Sequence, residues 1–220
     1  MTRAPQTIPV FYTHRMLADL ESLSPSAHKP WPVVQSWSAL GVPLSILPPT
    51  PVTRDQLSLA HDLRFVSDIL ECRAKNGFYT QARDVAESLP YTNGAILSTA
   101  REAIRSKGVA VAPTCGFHHA GYAKADAFCT FNGLMVAALV LKREGVVQRV
   151  GILDLDMHYG DGTENIIQAL RVEKFVFPTK SRNAPGDPAS LTCGAPRRGC
   201  ETGSRKIQGN LGRRSTGASI

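Results

Sequence analysis

Two short stretches of the 220-residue chain gather side chains able to handle protons and cations. The first is His118-His119, at the end of VAVAPTCGFHHAG; the second is Asp154, Asp156, His158 and Asp161, within GILDLDMHYGDGT. Adjacent imidazoles can take and return a proton near neutral pH. If the backbone after Leu153 is extended, residues 154, 156 and 158 project to one side, while Leu153, Leu155 and Met157 project the other way into apolar surroundings. Two carboxylates and an imidazole on one side need a cation. A mixed oxygen and nitrogen set suits zinc or another first-row divalent metal better than calcium or magnesium. A calcium loop beginning at Asp154 fails, because Tyr159 stands where glycine is needed and Asn165 where a bidentate Glu belongs. A lone Asp or His after a strand is more often a hydrogen-bonded turn residue than a ligand, but three such residues at one strand end reverse that preference. The tandem histidines, taken alone, read as loop residues bonded to backbone.

Both clusters must be held by the elements before them. Val109 to Pro113 and Arg149 to Leu155 are short apolar runs of the kind buried on both faces of a parallel sheet. Helical spacing marks Gln56 to Ala74, with Leu57, Ala60, Leu63, Val66 and Leu70 on one face. Ala95 to Lys107 is a second helix with Gly108 as its stop, Phe131 to Glu144 a third closed by Gly145, and Thr163 to Leu170 a fourth. Lys174 to Phe177 starts another strand, and Pro-rich Leu47 to Pro51 is a surface connection. Alternating strands and helices predict an α/β fold, a parallel sheet with helices on both faces. In open sheets of this kind sites form beyond the carboxyl ends of strands. The loops leaving two neighbouring strands are therefore expected to meet.

Composition narrows the function classes. Apolar residues make up 43% and charged residues 20%, as in ordinary globular proteins. The longest apolar run, Leu134 to Leu141, is far short of the roughly 20 residues of a membrane span. Met1 to Val10 lacks the pattern of a secretory signal, and five irregularly spaced cysteines suit a reducing compartment, so a cytoplasmic location is expected. The formal charge is +7, yet residues 1–170 carry 15 basic and 15 acidic side chains; the excess lies wholly in residues 171–220, with 10 and 3. From Pro178 to Ile220 there is no aromatic residue, His or Met. A solvated, disordered basic tail is expected there rather than a nucleic-acid site, which would interleave aromatics with charge. Cys193 and Cys200 do not have zinc-site spacing.

GFHHAGYAKADAFCTFNG followed by RVGILDLDMHYGDGTENI resembles the histone deacetylase and acetylpolyamine amidohydrolase family, zinc hydrolases of the arginase-deacetylase fold. The resemblance is strong from Val109 to Ile167 and looser upstream, where AHDLRFV with His61 is similar to an early helix of the family. It implies that Asp156 and His158 are zinc ligands, that His119 is the general base and acid, and that His118 is its electrostatic partner. It pairs Asp154 with His118 and Asp161 with His119, gives Asp154 a second role at a potassium site, and makes Phe128 a wall of the acyl-lysine channel. The implied reaction removes acetyl from an acetylated lysine peptide or a small acetylated amine such as a polyamine.

The chain departs from the family in several places. The third zinc ligand, an Asp in a later Gly-Ala-Asp segment, and the oxyanion-stabilising Tyr of a Gly-rich loop are not evident: Asp187 is the only aspartate after Asp161, and no Tyr follows Tyr159. Ala127 stands where many relatives have glycine, and Gly133 where a second Asn is common. The resemblance thus implies residues 1–177 as the N-terminal part of the family domain, incomplete relative to it. The chain reads as a truncated or frame-shifted member with an unrelated tail over 178–220. Three functions follow as expectations: a zinc-dependent deacetylase, a catalytically inactive member that binds metal or an acylated ligand, and, last, a nucleic-acid binder acting through its tail.

Overall fold

A computed structural model describes residues 7–19, 25–114 and 116–179 of the chain. The expected tail beyond residue 179 lies outside the described residues, as do Cys115, Cys193 and Cys200. The elements run β1 (Ile8–Phe11), α1 (Pro30–Ala39), β2 (Leu44–Leu47), α2 (Arg54–Leu57), α3 (Leu63–Leu70), α4 (Arg83–Ser106), α5 (Gly133–Arg143), β3 (Val150–Leu153), α6 (Asp161–Leu170) and β4 (Val176–Thr179). β1 pairs in parallel with β2, Ile8 opposite Leu44, and β3 in parallel with β4, Val150 opposite Val176. Parallel neighbours need a crossover; α1 lies on the first and α6 on the second. This is the α/β architecture that the sequence predicts.

The longest apolar run becomes the centre of the core. α5 is buried all round from Met135 to Leu141, as a helix without a polar face must be. Asn132 caps it by accepting the Met135 N–H at 3.2 Å, a contact worth about 1 kcal/mol. Gly145 ends it in the left-handed region, at φ 72°. Around α5 pack Leu57, Val66, Ile69, Leu97, Ile152 and Ile166, each contributing roughly 1.5–3 kcal/mol of burial. A smaller core joins Val10, Tyr12, Met16, Val34 and Ala95. Among the described residues no helix is long and apolar enough to cross a membrane.

Several sequence expectations are corrected. The helix predicted over Gln56–Ala74 is broken into α2 and α3, because Asp62 caps α3 through the Phe65 N–H and its own N–H bonds to the Tyr122 carbonyl. The helix predicted from Ala95 begins at Arg83. Pro90 and Gly94 weaken the local helical signal, but tertiary contacts override it. The Pro90 carbonyl accepts the Val52 N–H at 3.0 Å, and Gly94 lies so close to the Thr50 carbonyl that a Cβ there would be 2.1 Å away. The strand predicted at Val109–Pro113 shrinks to one parallel bridge, Val111 to Val10, with Val109 exposed.

The strand predicted over Arg149–Leu155 is the shorter β3, with Ile152 its only fully buried member. Leu153, Leu155 and Met157 do not face apolar surroundings: they are 67%, 80% and 72% exposed. Among the described residues β3 has a single partner, β4, and its outer face is uncovered. The two site-bearing segments are also not bonded neighbours, since Val111 pairs with β1 and β3 with β4.

Candidate functional site

The two loops meet even though their strands do not pair. His118 Nδ1 lies 2.8 Å from Asp154 Oδ2, and His119 Nδ1 lies 2.6 Å from Asp161 Oδ1. The imidazole centroids are 4.1 Å apart, and the ring of His158 is 6.0 Å from that of His119. A carboxylate can only accept, so each neutral imidazole donates Nδ1–H and keeps its acceptor lone pair on Nε2. The two side chains of the couple are largely covered, at 10% and 20% exposure.

Glycines make this meeting possible. α6 opens on Asp161 and Gly162, and a Cβ on Gly162 would stand 2.4 Å from the His119 carbonyl carbon. Without one, the helix start presses directly on the His119–Ala120 backbone, and the Thr163 N–H reaches the His118 carbonyl at 3.0 Å. Gly160 similarly leaves room for Asp154, whose Oδ2 would be 3.1 Å from an added Cβ.

β3 ends at Leu153, so strand alternation does not explain how residues 154, 156 and 158 gather. Two successive side-chain turns curl it instead: Asp154 Oδ1 accepts the Asp156 N–H at 3.0 Å, and Asp156 Oδ1 accepts the His158 N–H at 2.8 Å. The His158 N–H is the main cause that holds the Asp156 carboxyl below its usual range. Asp156 Oδ1 also lies 2.9 Å from His158 Nδ1. Two donors of one tetrahedral zinc, each at about 2.0–2.1 Å, stand roughly 3.3 Å apart, so one ion can bridge this pair. Its side chains are open to solvent, 49% and 66% exposed. Among the described residues no group of three His, Cys, Asp or Glu side chains is placed to hold an ion. The donors suit zinc in kind and fall one short in number.

Phe128 and Ala127 both adopt left-handed backbone, at φ 64° and 44°. For a residue with a Cβ this costs roughly 1–2 kcal/mol, a cost that glycine at position 127 would avoid. The turn is clamped by the Ala127 N–H on the Tyr79 hydroxyl at 3.1 Å and the Phe128 N–H on the Gly77 carbonyl at 2.9 Å. Asp126 anchors it: Lys124 at 2.5 Å and the Tyr79 hydroxyl at 2.8 Å push its carboxyl down to about 2. The Phe128 ring sits beside Phe78 and lines a cavity with Met16, Asn93, Phe117 and Phe131. Gly133 leaves no room for a side chain, since a Cβ there would come within 2.8 Å of the Phe117 ring.

Sequence reasoning noted His61 only as part of an early helix and missed the buried groups that join it to the site. His61 is only 1% exposed, and Asn132 and Thr163 are likewise buried. His61 Nδ1 lies 2.9 Å from the Gly121 carbonyl, and its Nε2 accepts the Asn132 N–H at 2.9 Å. The Asn132 amide donates to the Ala120 carbonyl at 3.3 Å and to Thr163 Oγ1 at 2.9 Å. The Tyr122 N–H bonds to Asn165 Oδ1 at 2.9 Å. The glycines flanking Asp161 and the Asn before the apolar run of α5 were the available signals.

Comparison with known proteins agrees with this architecture. The family model described as histone deacetylase domain matches residues 24–177. An uncharacterized protein of Picosynechococcus sp. is 32% identical over 132 residues, 57% of this chain and 43% of that protein. Histone deacetylase 8 of Xenopus laevis is 33% identical over 96 residues, covering 43% of this chain and 27% of the relative. The acetoin utilization protein AcuC of Staphylococcus aureus is 38% identical over 72 residues, 29% of this chain and 18% of the relative. The chain thus spans less than half the length of these curated relatives. The crystal structure of the HDA15 HD domain superposes with a TM-score of 0.68 at 22% identity, covering 79% of this chain and 53% of that one, a likeness that speaks for the fold. With most of its length matched by the family model, the chain belongs to the histone deacetylase domain family.

Proposed function

We propose that the chain is a zinc-dependent deacetylase, hydrolysing the amide of an acetylated lysine side chain or of a small acetylated amine. The observation that carries this reading is the pair of carboxylate-backed imidazoles 4.1 Å apart, beside the Asp156–His158 donor pair. Asp156 and His158 would hold the metal, which when bound supplies a more acidic water and a polarised carbonyl. His119, fixed by Asp161 in the tautomer with Nε2 free, takes the proton from water and returns it to the leaving amine. His118, held by Asp154, steadies the charge that develops next to it. Asp154 with its loop carbonyls would also serve a structural potassium ion, and Phe128 flanks the acyl chain.

Zinc content of the purified chain, measured together with hydrolysis of an acetyl-lysine peptide reporter, tests the reading. One equivalent of zinc with turnover lost on His119→Ala supports it; turnover that persists in His119→Ala overturns it. A second reading is a catalytically inactive member that binds metal or an acylated ligand. It is favoured by the donor set, since two ligands hold zinc more weakly than three and the oxyanion Tyr is not evident. Zinc retained without turnover selects it.

A further inference from the structure

We propose that His61 is a positioning residue: through Asn132 and Thr163 it fixes the backbone that carries the His118–His119 couple. The inference rests on the proton-transfer role given above to that couple. His61 lies between α2 and α3, far from the histidine loop in sequence, yet both its ring nitrogens are spent on groups that flank that loop. One bonds to the Gly121 carbonyl just past the histidines; the other receives the N–H of Asn132, which caps α5. The Asn132 amide then ties the Ala120 carbonyl to the Thr163 hydroxyl, and Thr163 returns its own N–H to the His118 carbonyl.

The circuit therefore clamps the histidine loop from two sides and joins it to α6, whose first residue is Asp161. Its three side chains are 1%, 0% and 5% exposed. Water cannot replace a lost partner there, so breaking one bond leaves a buried group unpaired and moves the loop. A neutral ring that donates Nδ1–H and accepts at Nε2 is what this place requires, and burial lowers the His61 pKa to about 4, which keeps it neutral.

The test reads the imidazoles directly, by long-range proton–nitrogen NMR of the full chain at one fixed pH. In the unchanged protein His118 and His119 should both give the Nδ1–H tautomer pattern. In His61→Phe, which keeps the bulk but neither bond, the share of that tautomer should fall about twofold at one or both rings. A folded His61→Phe chain with the pattern unchanged overturns the proposal. If that variant does not fold, Thr163→Val, which deletes only the hydroxyl accepting from Asn132, is read the same way. A change in the same direction supports the proposal and an unchanged pattern overturns it. Turnover does not enter this readout, so failure of the deacetylase reading and failure of the positioning role are told apart.

Discussion

Lowering the pH should unfold this protein partly through His61. The ring is 1% exposed and lies against Phe65 and Phe131, with centroids 6.0 and 5.2 Å away. Burial first of all, against weaker opposition from backbone hydrogen bonds, pulls its pKa from 6.5 to about 4. Above pH 6.5 the ring is neutral in both states and contributes no pH dependence. As pH falls from 6.5 towards 4 the unfolded chain binds a proton that the folded chain refuses, so stability drops; below 4 both are charged and the loss is complete. At 1.36 kcal/mol per unit the full loss is about 3 kcal/mol. Urea unfolding followed by circular dichroism at pH 7.5 and pH 4 measures it, with His61→Gln as reference. Carboxylates and the other histidines titrate in both proteins and cancel in the difference. The unchanged chain should lose about 3 kcal/mol more than His61→Gln over this interval. Equal losses would falsify the assignment of a buried, neutral His61.

Further outcomes follow from individual contacts. Ala127→Gly should raise stability by about 1 kcal/mol in the same urea assay, since φ 44° suits glycine; a lower midpoint refutes that account. Gly162→Ala should cost about 1–3 kcal/mol by forcing α6 off the His119 backbone, and should also lower any deacetylation of an acetyl-lysine peptide; a neutral effect on both refutes it. Burial pushes the Cys129 thiol up to about 11, so native Cys129 should alkylate with iodoacetamide at pH 8 at least about tenfold slower than after unfolding, and equal rates refute this.

The candidate site residues were legible in the sequence because they are local: His118-His119 and the DLDMHYGD stretch sit in a few consecutive residues. The convergence of the two loops was legible too, but the route was not. It runs through Gly162 and Thr163 packing on the histidine backbone, rather than through adjacent strands. The first half of α4 was hidden because Pro90 and Gly94 argue against a helix locally, while their contacts to Val52 and Thr50 argue for it only in three dimensions. The break at His61 and Asp62 was hidden for the same reason, since its partners Gly121 and Tyr122 are distant in sequence. β1, α1 and β2 drew no expectation: Ile8–Phe11 and Leu44–Leu47 are short, and Pro30 and Pro32 blur the start of α1.

The imidazole couple and the donor pair stand in different surroundings, one set into the protein and the other facing water. The imidazole couple is held by its own carboxylates, and one of these, Asp154, also accepts the Asp156 N–H and so ties the couple to the donor pair. An engineer reshaping the solvent-facing pair would therefore leave Asp154 in place, since it is the joint through which a change outside reaches the inner ring.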